Sequence, residues 1–252
     1  MSDFPYQVLD DVAHRPWPLP AGPWIMTQSW HDLLFAHWPI DARTLRDALP
    51  PGLPLDTYDG QAWLGIVPFH MTNVAPRGVP SIPFVSAFPE LNVRTYVTLH
   101  DQPGVYFFSL DAGSSIAVAA ARTLFGLPYF SATMTVDQRG GDVRFSSRRD
   151  TRMEHVAEFE ARYRPIGPVQ RPVAGTLEHF LTERYCLYTV DEAFRAKRLD
   201  IHHWPWPLQV AEAEITVNTM AEAARIRLPS TAPLLHFAKR QDMVAWAMTE
   251  AD

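Results

Sequence analysis

Alternation of hydrophobic and polar residues with a period of two dominates this chain and predicts β-strands along most of its length. Two strands at 130–138 and 142–149 flank the glycine pair of "RGG", which is the strongest hairpin signal in the sequence. Other predicted strands lie at 63–71, 92–99, 105–110 and 156–164, and in "RYCLYTV", "EAFRAKRLDIHH", "EAEITVNTM" and "LLHFAKRQDMVAW". The pattern therefore predicts a mainly β (α+β) fold.

One stretch departs from this pattern and predicts a helix. "SSIAVAAARTLFG" at 114–126 is rich in alanine, Ser114 or Asp111 can cap its start, and Gly126 suits the left-handed position after its end. Two shorter helices are predicted over 41–49 and 176–181. We expect these few helices to pack on the outside of the sheet.

Length and composition favour one globular domain over 1–252, with 1–23 as a proline-rich N-terminal arm. Hydrophobic residues make up 47% of the chain and charged residues 20%, and aromatic residues are plentiful enough to line a cavity. The net charge of −6, without any cluster of basic residues, argues against nucleic-acid binding. A homodimer remains open.

The cysteine and histidine content argues against a disulfide within the chain and against a metal site. Cys186 is the single cysteine, so no disulfide forms within the chain, and its strand context suits a buried core residue. The absence of a signal peptide and of a long apolar run predicts a cytoplasmic protein that does not bind membranes. His202 and His203 are adjacent and would point to opposite faces of a strand, so we expect no metal and no cofactor.

The strand "FPELNVRTYVTL" is the best candidate for a functional site. If it starts at the glutamate, Glu90, Asn92, Arg94, Tyr96 and Thr98 share one face. One interpretation is a solvated face. The other is a cavity lining, in which Glu90 pairs with Arg94 and both bind a small polar ligand.

The segment "AARTLFGLPYF" resembles the part of the acetoacetate decarboxylase family in which a helix ends at Gly-Phe-Pro before two lysines. "FPELNV" is similar to the Tyr-x-Glu strand of that family, whose glutamate lies in the active-site cavity. Over roughly 28–240 the chain resembles the bacterial YqjF-like family of unknown function, which belongs to the same superfamily. The matching stretches include "WHDLLFAHWPID", "GTLEHFLTERYCLYT" and "HHWPWPLQVAEAEI".

This resemblance implies a closed, cone-shaped acetoacetate decarboxylase-like β-barrel with an internal pocket. It also places Tyr129 and Phe130 where that family has its lysine pair, so the Schiff-base lysine is missing. Lys197 and Lys239, the chain's two lysines, are poor substitutes because their sequence context is that of exposed residues. The expected function is binding of a small carbonyl, carboxylate or aromatic molecule.

The predicted ligand-binding residues are Trp63, Glu90, Asn92, Arg94, Tyr96 and Tyr129. Two enzymatic alternatives remain open. Glu90, Arg94 and Tyr129 are candidate catalytic residues for acid–base chemistry on a small carbonyl compound. A hydrolase with Ser115 as nucleophile is also conceivable because "GSSIA" follows a strand and opens a helix, although Ser114 as a helix cap explains the same residues.

Overall fold

The computed structural model describes residues 4–79, 86–150 and 157–251, and for residues 120, 123 and 124 it describes the backbone alone. The strands in these ranges are β1 (Met26–Ile40), β2 (Ala62–Pro76), β3 (Phe88–Leu99), β4 (Gln102–Ala112), β5 (Tyr129–Arg139), β6 (Asp142–Arg149), β7 (Glu158–Pro165), β8 (Cys186–Val190), β9 (Ala196–His203), β10 (Leu208–Asn218), β11 (Leu234–Ala245) and β12 (Thr249–Glu250). The helices are α1 (Ala42–Ala48), α2 (Ser115–Phe125), α3 (Leu177–Thr182) and α4 (Met220–Ala223), after a 3-10 helix at Tyr6–Asp10.

All these strands belong to one sheet that closes on itself twice. The hydrogen-bonded order is β12-β9-β8-β4-β3-β2-β1-β11-β10-β7-β6-β5, with additional pairings between β9 and β11 and between β4 and β5. The β4–β5 pairing closes a mixed barrel of nine strands. The β9–β11 pairing closes a second ring from β9, β8, β4, β3, β2, β1 and β11. The predicted closed, mainly β barrel with a few helices is confirmed.

The two rings share a wall because β4 and β11 each change partner along their length. The end of β4 at Leu110–Ala112 pairs with β5, whereas Val105 and Tyr106 pair with β8. In β11, Ala238 pairs with β10, and Met243–Ala245 pair with β9. The wall formed by β4, β3, β2, β1 and β11 therefore has one face in each ring.

Each face of this wall has a distinct environment. Leu34, Ile66 and Val93 point into the nine-strand ring and join a core that also contains Phe145 and Phe159. The opposite face carries apolar side chains such as Leu33, Val67 and Phe69 together with the polar residues of β3. One ring is thus filled by side chains, and the other holds a cavity.

Two of the β-bulges in this wall affect which residues reach the cavity. Between His31 and Ala36, β1 has one more residue than β2 opposite it, and Asp32 has a positive φ of 52°. Pro68, which has no N–H to donate, lies in β2 opposite this bulge. In β4, the register shift opposite Val93 and Arg94 leaves Phe108 without a partner in β3. Side-chain parity changes at each bulge.

The helices follow their capping signals. Ser114 caps α2 by accepting a hydrogen bond from the backbone N–H of Ala117, and Gly126 ends it with a left-handed φ of 60°. Asp41 and Thr176 cap α1 and α3 in the same way. Asp111, the alternative cap for α2, instead forms a buried ion pair with Arg149 at 2.6 Å.

The N-terminal segment lies against β9. Phe4 and Val8 are buried with Trp246, and Arg15 donates a hydrogen bond of 2.6 Å to the carbonyl of Ile201. We propose that the chain forms one domain, because a single sheet runs through the described residues. None of the helices in these ranges is long and apolar enough to cross a membrane.

Candidate functional site

A cavity of about 500 Å³ lies inside the ring closed by β9 and β11. Its walls come from the shared strands, from β8 and β9, and from α2, which contributes Ile116, Ala117 and Phe125. Most of the lining is apolar. A cavity of this size and polarity is typical of a site for a small organic molecule.

Four of the six predicted ligand-binding residues line this cavity. Glu90, Asn92 and Arg94 project from alternate positions of β3, and Tyr129 projects from the start of β5. The parallel pairing of Tyr129 with Leu110 places the phenol beside the end of β4 that is opposite Glu90 and Asn92 in β3. The sequence therefore identified the strand and the face that carry the polar lining.

Three atoms in this polar lining are buried and have no hydrogen-bond partner. They are Oε2 of Glu90, Oδ1 of Asn92 and Nε of Arg94. Buried polar groups are nearly always paired in proteins, since an unpaired one costs about 1–3 kcal/mol. These three unpaired atoms belong to residues of one strand in the wall of the cavity.

Glu90 is held as a carboxylic acid rather than a carboxylate. The pKa of Glu90 is raised from 4.5 to about 8: burial is the main cause and the nearby charge of Asp111 adds to it, while side-chain hydrogen bonds with Tyr129 and Asn92 act in the opposite direction. Burial and the contact with Glu90 also raise the pKa of the Tyr129 phenol well above 10. At neutral pH this pair can both donate and accept hydrogen bonds.

The predicted ion pair between Glu90 and Arg94 is wrong. Arg94 donates a hydrogen bond of 3.1 Å to the carbonyl of Leu181, and its guanidinium lies over the rings of Phe35 and Tyr96. No carboxylate of the described residues lies within salt-bridge distance of it. The mistake came from treating Glu90 as ionised, although full burial favours its neutral form.

Trp63 and Tyr96 do not belong to the cavity lining. Tyr96 is fully buried, and its hydroxyl donates to the carbonyl of Leu181 and contacts Nε2 of His37 at 2.6 Å. Trp63 packs in the same apolar cluster, and its indole nitrogen is buried without a partner.

An aromatic wall escaped the sequence analysis. Trp30 and Trp206 stack with ring centroids 5.9 Å apart, and Phe35 packs edge-on against Trp206 at 4.8 Å. Trp30 lies on β1, a strand that the alternation pattern did not predict because the bulge at Asp32 interrupts it. The indole Nε1 of Trp206 is buried and unpartnered, which adds one donor to the lining.

Tyr129 and Phe130, which match the lysine pair of the acetoacetate decarboxylase family, point in opposite directions. Tyr129 faces the cavity, whereas Phe130 lies under the guanidinium of Arg149 at 3.9 Å. No lysine lines the cavity among the residues that the structure describes. Lys239 pairs with Asp32 on the surface at 2.6 Å, and Lys197 lies on β9 next to β12.

The remaining candidates Ser115, Cys186 and His202 lie outside the cavity lining, whereas His203 is part of it. Ser115 is an exposed residue at the start of α2 and is not part of the lining. Cys186 is buried in β8, and burial raises the pKa of its thiol to about 12. His202 points to the N-terminal segment and contacts the carbonyl of Val8, while His203 reaches the cavity. Within the described ranges, no three acidic, histidine or cysteine side chains form a metal-binding cluster.

Solved structures share this architecture at low sequence identity. The enduracididine biosynthesis enzyme MppR, complexed with a condensation product of pyruvate, matches with a TM-score of 0.62 at 11% identity, over 92% of this chain and 90% of its own. An acetoacetate decarboxylase-like enzyme from Sphingomonas wittichii RW1 matches with 0.60 at 14% identity, over 96% and 99%. Acetoacetate decarboxylase from Legionella pneumophila matches with 0.60 at 15%, over 97% and 95%. These likenesses show the fold.

Sequence comparison gives the family. The model of DUF2071, described as an uncharacterized conserved protein, matches residues 27–242. Uncharacterized protein YqjF of Bacillus subtilis is 51% identical over 232 residues, which cover 91% of this chain and 94% of that protein. The chain therefore belongs to the DUF2071 (YqjF) family and has an acetoacetate decarboxylase-like barrel fold.

Proposed function

We propose that this chain binds a small, largely apolar molecule in the cavity through a carbonyl oxygen at Glu90, without a Schiff-base lysine. The observation that carries this proposal is the buried, unpartnered Oε2 of Glu90 beside an apolar space of about 500 Å³. A protonated carboxyl donates a hydrogen bond, so a carbonyl oxygen satisfies it better than an apolar group does. Phe107, Leu110 and the tryptophan pair supply apolar contact for the rest of the ligand.

The matched probes benzylacetone and butylbenzene test this proposal, because they share a skeleton and differ in one carbonyl group. Isothermal titration calorimetry should show benzylacetone binding about tenfold more tightly, equivalent to ~1.4 kcal/mol. Glu90→Leu should remove the difference, and Glu90→Gln, which keeps a donor, should retain it. Equal affinity for both probes in the wild type would contradict the proposal.

Acid–base catalysis at the same site is a second candidate. It is favoured by the pKa of about 8 at Glu90, which is close to the pH at which a general acid or base works best in cells. Tyr129, hydrogen-bonded to the same carboxyl, would stabilise negative charge on a carbonyl oxygen. Exchange of the protons next to the benzylacetone carbonyl in heavy water, followed by NMR, separates catalysis from binding alone. Exchange that Glu90→Gln abolishes would establish catalysis.

A further inference from the structure

Arg94 places a positive charge at the end of the cavity away from Tyr129. Its side chain lies along β2, where Gly65 leaves room for it: a Cβ at Gly65 would approach Cγ of Arg94 to 3.3 Å. Its Nη2 donates to the carbonyl of Leu181, and its Nε is buried without a partner. The guanidinium therefore has hydrogen-bonding capacity left, and it is part of the cavity lining.

Three buried arginines are each paired with an aspartate. Arg15 lies 3.9 Å from Asp200, Arg149 lies 2.6 Å from Asp111, and Arg184 lies 2.7 Å from Asp56. Removing a cation from water is costly unless an opposite charge accompanies it. Arg94 is half-buried in the wall of the cavity and, in the part of the chain that the structure describes, has no carboxylate within salt-bridge distance.

Glu90 cannot serve as the missing counter-charge. It is neutral at pH 7 because burial raises its pKa to about 8, and it is engaged with Tyr129 and Asn92. It is four positions away from Arg94 along an extended strand, which corresponds to about 13 Å between their Cα atoms. The cavity therefore has two polar regions, an uncharged one at Glu90 and a positively charged one at Arg94.

Arg184 does not alter this balance. It lines the same end of the cavity, but its Nη1 donates to Asp56 and its Nε donates to the carbonyl of Phe180. Its charge is compensated within the protein. The uncompensated charge at this end is that of Arg94.

We propose that the ligand has two polar ends: besides the carbonyl group bound at Glu90, it carries a carboxylate that binds Arg94. This inference rests on the proposed function, because it assigns the second end of the same ligand. A carboxylate accepts charge-assisted hydrogen bonds from a guanidinium and supplies the counter-charge that the protein does not. The middle of the ligand spans the two regions along β3, past Asn92.

Three probes with the same carbon skeleton test whether the second polar end of the ligand is a carboxylate. They are benzylacetone, benzylacetone with a para-carboxylate on its ring, and the methyl ester of that carboxylate. Calorimetry should show the carboxylate binding to the wild type about tenfold more tightly than its ester, with the preference shrinking as salt is added. Arg94→Gln should reduce the affinity for the carboxylate to that for the ester. Arg94→Lys should keep part of the preference.

Arg139→Gln is the matched control, because Arg139 is an exposed arginine far from the lining, and it should leave all three affinities unchanged. Equal binding of carboxylate and ester by the wild type would overturn the inference and leave the proposed function intact, since both probes carry the ketone. If none of the three probes binds, the proposed function fails and the inference with it. The comparison within the wild type remains decisive if Arg94→Gln does not fold.

Discussion

Replacing Glu90 by glutamine should make the stability of this protein less sensitive to pH. Glutamine has nearly the same shape and keeps a carbonyl oxygen for the hydrogen bonds of Tyr129 and Asn92, but it does not ionise. In the folded wild type, burial raises the pKa of Glu90 from 4.5 to about 8. The native state therefore holds a proton that the unfolded chain releases at neutral pH.

This difference in proton binding determines whether the free energy of unfolding rises or falls with pH. Below the unfolded pKa of 4.5, Glu90 is protonated in both states, and its contribution to stability is fully present. As the pH rises, the unfolded state loses the proton first, so stability falls until the pH passes about 8. Each tenfold change in proton affinity is worth about 1.36 kcal/mol, so the wild type should lose roughly 3–4 kcal/mol between pH 5 and pH 8 through this group.

Urea unfolding of both proteins at several pH values in this interval measures the effect. The free energy of unfolding of Glu90→Gln, minus that of the wild type, should rise by roughly 3–4 kcal/mol from pH 5 to pH 8. Glu192→Gln, at an exposed position, is the control and should follow the wild type. A difference between Glu90→Gln and the wild type that stays constant over this range would refute the conclusion that Glu90 is a buried neutral acid.

Two further predictions concern Tyr129 and Phe130, which match the lysine pair of the acetoacetate decarboxylase family, and Arg149, which packs on Phe130. Borohydride treatment with acetoacetate should give no covalent adduct, because Tyr129 and Phe130 cannot form an imine; a stoichiometric adduct on Lys197 or Lys239, found by mass spectrometry, would contradict this. Arg149→Met should lower the unfolding free energy by about 3–5 kcal/mol, because Asp111 would be left buried and unpaired. Arg148→Met, at the neighbouring exposed pair with Glu158, should have a much smaller effect, and equal losses in urea unfolding would refute the argument.

The local signals in the sequence were sufficient for most of the secondary structure. Alternation located β3, β4 and the hairpin at Gly140 and Gly141, and the caps of α2 fall at Ser114 and Gly126 as predicted. These features depend on residues close together in the chain, so a single sequence specifies them. β1 was missed because its bulge at Asp32 breaks the alternation, and a bulge is defined by the partner strand.

The candidate site also combines features that the sequence predicts with features that depend on the tertiary structure. Strand periodicity alone placed Glu90, Asn92 and Arg94 on one face, and the helix-to-strand connection after Gly126 returned Tyr129 to the sheet beside β4. The aromatic wall of Trp30 and Trp206 could not be predicted, since it depends on β1 and the segment after β9 meeting across the ring. The same holds for the ionisation of Glu90. Its neutral form is a consequence of burial by groups distant in sequence, and the free energy of removing a charge from water is fixed only once the tertiary structure has closed around it.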